Sequence, residues 1–469
     1  MCQWRTPLIC LSLVCLALHS GCADSDEPQP VAATEPATEP ATESVSIDGS
    51  FPRLLGDHFD GRAVGQVALD WSSKPQVAWT LPVGAGYGLG SAVNGVYYQL
   101  DAEARFQGGV EQLRALDFQS GKELWKAERK FSYQDLYGYD NGPRGTPTVA
   151  GDRIVTFGVD GMLCCRQLTN GDLIWKVNTK SKYGVVQNFF GVGASPLIHD
   201  SLVIVPVGGS PEESQQVAPG RLDRIRSNDT AVVAFDLQTG EERWHCGEDF
   251  ASYSSPRTAT IDGKTVVLQL ARNQLLVIDP DDGKVLWQYP HRASILESVN
   301  AAMPVVKQDE VFISECYQVG SALLQVRLDG PTPVWVDPPS RRREQAMRCH
   351  WSTPVLVGDY LYGCSGRNNP DSEFRCVQWS TGKVMWGDAS QIRTSVATAD
   401  GKLVVLSEDG VIEILQPNPE RKQVLHRYDF GDQLKAPCWS APIIVGNRML
   451  IRGDEKVLCL SVAAGSDTK

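Results

Sequence analysis

The sequence predicts an all-β protein, an eight-bladed β-propeller with four strands in each blade. Three observations favour this fold. A hairpin that ends in Trp recurs along the chain, a second kind of hairpin recurs in phase with it, and the strand count leaves one outer strand for the N-terminal end to supply. The 43 Gly and 28 Pro residues also fit many short strands joined by tight turns.

The Trp-terminated hairpin is a strand, a polar turn with Gly in the left-handed position, and a short second strand. Weaker copies end at Trp335 and Tyr428, and Trp79 lies in a strand that has no hairpin before it. A repeat every 40–50 residues, roughly, is typical of propellers and solenoids. Five copies align without gaps: RALDFQSGKELW (114–125), CCRQLTNGDLIW (164–175), VAFDLQTGEERW (233–244), LVIDPDDGKVLW (276–287) and RCVQWSTGKVMW (375–386).

The second kind of hairpin begins with small residues or Pro before an apolar run. Eight such segments and seven Trp-type hairpins leave the last blade without its outer strand, which the segment around Trp79 would complete. Closure of this kind leaves no open sheet edge at the joint. A polar insertion at 208–229 is expected to form a surface loop within the third blade. The eight segments are 90–98, 145–155, 194–205, 254–268, 301–313, 352–363, 394–406 and 440–451.

The N-terminal 22 residues have the pattern of a signal peptide, with Arg5 followed by a short apolar run and small residues before Cys22. Cys22 is a candidate lipidation site, and ordinary secretion with cleavage nearby is the alternative. Residues 23–50 repeat Ala-Thr-Glu-Pro and should form a disordered acidic linker. We therefore expect export to the periplasm or outer surface, with any membrane attachment through the lipid alone.

The remaining boundaries follow from the repeats. An N-terminal extension at 51–75 should pack on the propeller, the propeller should span 76–463, and 464–469 should form a C-terminal tail. The net charge of -12 argues against binding to a nucleic-acid backbone, which needs clustered cationic side chains. We expect a monomer.

The hairpins resemble the PQQ-like repeat, and the best match is Ala234-Phe235-Asp236 with Thr239-Gly240 and Trp244. The resemblance covers about residues 76–463. It implies either of two kinds of protein: quinoprotein alcohol dehydrogenases, which bind pyrroloquinoline quinone (PQQ) and calcium, or non-catalytic lipoproteins of outer-membrane barrel assembly. The quinoprotein pocket, as the resemblance implies it, holds calcium on carboxylate and amide oxygens, with a catalytic aspartate, a stacking Trp and a vicinal disulfide.

Cys164 and Cys165 are adjacent and so invite comparison with that vicinal disulfide. In the gapless alignment Cys165 occupies the column of Ala115 and Ala234, and the preceding column lies on the other face of the strand. Bonded neighbours need a distorted turn, which an extended strand does not provide. We therefore expect two unbonded thiols here. Cys364 and Cys376 flank a hairpin loop, and the sequence is compatible both with a disulfide between them and with two free thiols.

Segments that enter the first strand of each blade should meet at the mouth of the central channel, where any ligand would bind. Glu297 and Asn300 could bind a metal or cofactor, although capping of loop backbone and pairing with Arg348 or Arg393 is favoured. His350 is expected to be a hydrogen-bonded rim residue. The predicted ligand-binding residues are Tyr139, Asp140, Arg144, Asn188, Glu297, Asn300, Arg348, His350, Arg393 and Trp439, with no catalytic or metal-binding residue.

The function predicted from these observations is a non-catalytic scaffold of the cell envelope that binds a protein or small ligand through its channel-mouth loops, without a cofactor. The alternative is a PQQ-dependent oxidoreductase that uses the same face with PQQ and calcium.

Overall fold

The computed structural model describes residues 49–65, 69–298 and 300–462. The predicted signal peptide, Cys22, the Ala-Thr-Glu-Pro segment to residue 48 and the predicted tail at 464–469 lie outside the described residues. Within the described ranges, the chain forms eight separate four-stranded antiparallel sheets. The predicted eight-bladed propeller is confirmed.

Blades one to four follow the chain in order, and in each sheet neighbouring strands are consecutive in sequence. Blade three also carries the insertion, which contains two 3-10 turns, Glu212–Ser214 and Leu222–Arg224, between β11 and β12. The strands are β2 Ser91–Val93, β3 Val96–Arg105, β4 Gly108–Asp117 and β5 Glu123–Phe131; β6 Thr148–Ala150, β7 Arg153–Phe157, β8 Met162–Gln167 and β9 Leu173–Asn178, followed by the helix α1 Thr179–Tyr183; β10 Leu197–His199, β11 Leu202–Pro206, β12 Val232–Asp236 and β13 Glu242–Cys246; and β14 Arg257–Ile261, β15 Lys264–Leu270, β16 Gln274–Ile278 and β17 Val285–Pro290.

Blades five to eight repeat this order until the last, whose outer strand comes from the N-terminal side. There β1 pairs with β32, so the strand order is β1-β32-β31-β30. The strands are β18 Val305–Lys307, β19 Glu310–Glu315, β20 Gly320–Arg327 and β21 Gly330–Val336; β22 Val355–Val357, β23 Tyr360–Ser365, β24 Glu373–Gln378 and β25 Val384–Asp388; β26 Thr394–Ala399, β27 Lys402–Ser407, β28 Val411–Gln416 and β29 Gln423–Asp429; and β30 Ile443–Val445, β31 Arg448–Arg452 and β32 Lys456–Ser461 with β1 Gln76–Pro82.

At five of the blade junctions the repeated Trp packs on the Gly turn of the next blade. The Trp244 indole N–H donates to the Pro280 carbonyl at 2.9 Å, and a Cβ on Gly283 would lie 2.6 Å from the Trp244 ring. Trp79 makes the same contact across the joint of the ring, since its indole N–H donates to the Phe118 carbonyl at 2.9 Å. The Trp-Gly spacing of the repeat therefore encodes the contact between adjacent blades as well as the hairpin itself.

Blade seven has Tyr428 in the Trp position, and its neighbour is the blade whose outer strand comes from the N-terminal side. That neighbour has no Gly turn between its third and fourth strands on which a Trp could pack. Instead the Tyr428 hydroxyl donates to the backbone carbonyl of Trp71, which is buried against blades seven and eight. The weaker repeat copy thus coincides with the point where the ring is closed.

Cys164 and Cys165 are neighbours in β8, and Cys165 lies opposite Trp175. Ala115 and Ala234 face Trp125 and Trp244 in the same register, which confirms that Cys165 fills an alanine position. Burial raises the pKa of Cys164 to about 11 and that of Cys165 to about 12, so both remain thiols at neutral pH.

The possible disulfide between Cys364 and Cys376 is contradicted by the strand register. Cys364 faces Phe374 and Cys376 faces Tyr362, so the two cysteines are not opposite each other in the ladder. The two thiols also have different neighbours. The Cys364 sulfur is 3.4 Å from the Ser372 hydroxyl, and Cys376 lies opposite Trp386 in the next strand. All nine cysteines of the described residues are buried and free.

Residues 49–65 form an N-terminal segment that runs across one end of the channel. It hydrogen-bonds to the first strands of six blades: Phe51 to Ala92, Pro52 to Val149, Arg53 to Ile198, His58 to Arg257, Ala63 to Thr398, and Val64 to Ile444. Leu55 and Phe59 also pack on Met303, just before the first strand of blade five. The first strands reach their turns at the end of the channel where this segment lies. The segment therefore closes that end, and the channel stays open at the face where the first strands begin.

No helix among the described residues has both the length and the apolar character needed to cross a membrane.

Candidate functional site: an aromatic cavity in the central channel

A cavity of about 260 Å³ occupies the channel above the N-terminal segment. Its floor is formed by Phe51, Leu54, Leu55 and Gly61. Its mouth is formed by loops that enter the first strands and by the loop between the second and third strands of blade six. The mouth residues include Tyr87, Tyr139, Arg144, Phe190, Tyr253, His350, Trp351, Arg367, Arg393 and Trp439. An engineered apolar cavity of about 150 Å³ holds benzene, so this cavity has room for one or two rings.

Aromatic side chains from successive blades form an arc around the mouth. The ring centroids of Trp351 and Trp439 are 5.0 Å apart, and those of Trp439 and Tyr87 are 4.5 Å apart. Tyr139 meets Phe190 edge to face at 5.6 Å. These rings come from connections between blades, where each chain segment turns inward before its first strand. The arc gives the cavity broad apolar walls with little side-chain entropy to lose on binding.

Two of the three arginines in the cavity wall are neutralised by carboxylates. Arg144 pairs with buried Asp135 at 2.9 Å. Arg393 pairs with Glu408, and its guanidinium carbon lies 5.6 Å from the Trp351 ring and 5.3 Å from the Trp439 ring. These two arginines therefore hold the mouth loops and the Trp rings in place.

Arg367 differs from the other two. It is half-buried, its guanidinium carbon lies 5.2 Å from the Tyr317 ring, and it makes no ion pair or hydrogen bond with the described part of the chain. The described wall residues include no Asp or Glu. The cavity therefore carries one positive charge that the wall does not neutralise.

His350 lies between the aromatic arc and Arg367. Its ring packs edge-on against Trp351 at 4.9 Å, and its Nε2 is 3.1 Å from the Tyr317 hydroxyl. Burial first, and then the charges of Arg367 and Arg393, lower the pKa of His350 to about 3. The imidazole is therefore neutral at physiological pH, and it is hydrogen-bonded, to the buried Tyr317 hydroxyl, as the sequence predicted.

The structure brings five of the ten predicted binding residues together in the cavity wall: Tyr139, Arg144, His350, Arg393 and Trp439. The other five lie elsewhere. Asp140 accepts hydrogen bonds from the backbone N–H groups of Gly86 and Gly142, Asn188 caps the N–H of Phe189, and Glu297 is exposed.

The expected pairing of Glu297 or Asn300 with Arg348 or Arg393 across the ring is wrong. Arg348 pairs instead with Asp371 at 2.8 Å, and Arg393 pairs with Glu408. Both carboxylates come from the loop between the second and third strands of the same blade, which lies beside the segment that carries the arginine. Asn300 does cap backbone as expected, since its amide donates to the carbonyls of Ala271, Arg272 and His291.

Sequence reasoning missed Tyr87 and Arg367 in the wall, and also Tyr317, which lies outside the wall and contacts Arg367 and His350. It considered only some of the segments that enter first strands, whereas Tyr317 and Arg367 follow the second strands of blades five and six. In an antiparallel blade, the loop after the second strand lies at the same end as the entry to the first. The alternation of strands would therefore have pointed to these loops.

The cavity does not match the calcium site of a quinoprotein. Calcium takes six to eight oxygen ligands, with carboxylates prominent among them. The described wall has no Asp or Glu and one amide side chain, that of Asn368, beside Ser and Thr hydroxyls, arginines and aromatic rings. Across residues 49–65, 69–298 and 300–462, no group of three or more His, Cys, Asp or Glu side chains is arranged to hold a metal. The vicinal cysteines lie in a blade strand and do not border the cavity.

The fold and cavity together define a ring-closed β-propeller with a ligand-sized pocket in its channel. The chain belongs to the PQQ-like β-propeller family, since the family model described as outer membrane protein assembly factor BamB matches residues 109–388, more than half of the chain.

Relatives of both functional kinds are similar to this chain. A polyvinylalcohol dehydrogenase of Pseudomonas sp is 24% identical over 385 residues, which covers 65% of this chain and 58% of that protein. This chain thus spans less than two thirds of the length of the curated relative that it matches.

Two solved structures share the fold. BamB from Moraxella catarrhalis has a TM-score of 0.55 at 13% identity, covering 84% of this chain and 99% of that chain. A europium-containing methanol dehydrogenase has a TM-score of 0.59 at 14% identity, covering 87% and 90%. At these identities the likeness establishes the fold and leaves the function open.

Proposed function

We propose that this protein is a non-catalytic, envelope-associated propeller that binds a small ligand in its channel cavity. The observation that carries the proposal is the cavity itself, which the N-terminal segment closes at one end and aromatic rings surround at the other. A pocket of this size, closed at one end only, suits a small-molecule ligand or the end of a larger ligand better than it suits a flat protein surface. The signal-peptide pattern and the description of the family model support a location in the envelope.

The second candidate is a PQQ-dependent oxidoreductase with the activity in the same cavity. The likeness to a polyvinylalcohol dehydrogenase and to a methanol dehydrogenase favours it. The chemistry of the wall counts against it, because a dehydrogenase of this kind places its metal on carboxylate oxygens, and the described wall has none.

Binding can be tested with a neutral two-ring probe, naphthalene-2-carboxamide, followed by quenching of tryptophan fluorescence in protein that begins at residue 49. We expect saturable binding that Tyr139→Ala weakens, since Tyr139 lies in the cavity wall. Tyr137→Ala is the matched control, because Tyr137 is equally exposed, at 53% against 51% for Tyr139, and lies outside the wall. Equal effects of the two substitutions, or no binding to the unmodified protein, would overturn the assignment of the cavity.

Catalysis can be tested by incubating the same protein with PQQ and calcium, or with PQQ and europium, and measuring dye reduction by primary alcohols and polyvinyl alcohol. We expect no reduction above the rate without protein. Metal-dependent dye reduction would refute the non-catalytic proposal and establish the second candidate.

A further inference from the structure

Arg367 is a cationic group in the cavity wall without an anionic partner. Arg144 and Arg393 contribute to the same wall, but each is matched by a carboxylate of its own, Asp135 and Glu408. Arg367 is held by the face of Tyr317, a contact that leaves its N–H groups free to donate. A half-buried guanidinium without a carboxylate partner is suited to binding an oxyanion. Its planar fork can donate two parallel hydrogen bonds to a carboxylate or sulfate.

Two further wall residues, His350 and Trp439, each carry a polar atom without a hydrogen-bond partner among the described residues. The Nδ1 of His350 and the Nε1 of Trp439 are buried and make no hydrogen bond within the described structure. Most hydroxyl groups of the wall are already engaged: Ser440 donates to the Tyr87 carbonyl, and Ser395 donates to that of Trp439. Among the described wall residues, Arg367 is therefore the charged side chain that is left without a partner.

Aromatic rings of the wall lie beside His350. Trp351 is next to His350 in the chain, and its indole contacts Trp439. A ligand that reached Arg367 would lie against these rings. Its preferred form is thus a flat ring that carries one negatively charged oxygen group, because the rings contact its face while the guanidinium binds its edge.

We propose that the cavity recognises a carboxylate borne on a ring, and that Arg367 is the residue that binds this carboxylate. The inference rests on the proposed ligand-binding function and specifies its ligand class. Two chemical sources share this feature: an aromatic acid and a uronic acid, whose sugar ring stacks on Trp through its C–H face. The single unneutralised charge in the wall points to recognition of one carboxylate at a time.

The test uses two matched pairs of probes on the full-length protein. The aromatic pair is naphthalene-2-carboxylate and its neutral carboxamide, and the sugar pair is galacturonate and galactose. Binding is measured by tryptophan fluorescence and by isothermal titration calorimetry at low salt. We expect one acid to bind at least about tenfold more tightly than its neutral partner, the range for a hydrogen bond to a charged group. The pair that shows the preference identifies the source.

Arg367→Gln should abolish this preference, because it lowers the affinity for the acid much more than the affinity for the neutral probe. Arg367→Lys should restore part of the preference, because it keeps the charge and loses the planar fork. The control is Arg343→Gln, which makes the same change in net charge at an exposed arginine outside the wall. Circular dichroism spectra and urea midpoints will show whether each variant is folded.

The outcomes separate this inference from the function on which it rests. If neutral and acidic probes bind equally and Arg367→Gln changes neither, the cavity binds rings but the carboxylate assignment is wrong. If Arg343→Gln lowers the preference as much as Arg367→Gln, the preference reflects net charge and the assignment is again wrong. If neither the acids nor their neutral partners bind, the ligand-binding function itself fails.

Discussion

The contact between blades three and four allows a sharp test of the Trp-Gly repeat. Gly283 lies in the turn between β16 and β17, with φ +76°, and a Cβ built on it falls 2.6 Å from the Trp244 ring. Carbon atoms in contact are normally about 3.5–4.0 Å apart. The Trp244 ring is buried, and its N–H bonds to the Pro280 carbonyl at 2.9 Å, so it cannot move away without losing that bond.

The expected cost of Gly283→Ala has two parts. A left-handed residue that is not Gly costs about 1–2 kcal/mol, and an extra carbon in a packed contact costs about 1–3 kcal/mol. Gly263 supplies the matched control in the same blade: it has φ +77° in the turn between β14 and β15, and its Cβ would have no neighbour within 4 Å. Gly263→Ala should therefore show the first cost alone.

Urea unfolding of the two variants, followed by circular dichroism and tryptophan fluorescence, measures both costs. We expect Gly283→Ala to lose about 1–3 kcal/mol more free energy of unfolding than Gly263→Ala, with unchanged m-values. Equal losses for the two variants would refute the reasoning, because the Trp-Gly contact would then contribute nothing beyond the turn conformation.

Three further predictions concern the N-terminal segment, a buried histidine and the cysteines. Protein that begins at residue 66 should lose roughly 5 kcal/mol of stability relative to protein that begins at residue 49, since Phe51, Leu55 and Phe59 are buried against the ring; thermal unfolding of both truncations measures this. Burial lowers the pKa of His291 to about 4, so the unfolded chain takes up a proton below about pH 6.5 that the folded protein does not, and stability falls as the pH drops towards 4. His291→Gln should make the loss of stability between about pH 7.5 and 5 smaller by about 2 kcal/mol in urea titrations. In protein that begins at residue 49, the nine buried cysteines should not react with a thiol reagent in the native state, and all should react in guanidinium.

Each of these predictions has an outcome that would contradict it. Equal melting temperatures of the two truncations would show that the segment does not stabilise the ring. An unchanged pH dependence in His291→Gln would place the proton uptake on other groups. Fewer reactive thiols in guanidinium than the nine free cysteines would reveal a disulfide that the strand register excludes.

The fold could be predicted because its information is local and repeated. Each hairpin places an apolar alternation, a turn Gly and a Trp at fixed spacing, and the same strand pairing follows wherever the pattern occurs. The position of Cys165 could be predicted for the same reason, since its column in the repeat fixes the face of the strand.

The cavity could be predicted only in part because its contacts depend on loop paths that the repeat does not encode. Arg393 lies in the cavity wall and Arg348 does not, and the carboxylate partners of both come from loops after second strands. The Cys364–Cys376 pairing failed because a two-residue difference in register separates residues that merely flank the same loop. The contribution of Phe51 to the cavity floor had no signal in the repeat, since residues 51–61 lie outside it.

The depth of the cavity depends on a part of the chain that lies outside the blades. The walls of the cavity belong to the loops of the ring, whereas its floor belongs to a short stretch of chain before the first strand. Exchange of residues 51–61 for a longer or bulkier stretch would make the pocket shallower while every blade kept its sequence. The depth of the cavity is thus set by residues 51–61, and changes in this segment could alter the size of ligand that fits without a redesign of the blades.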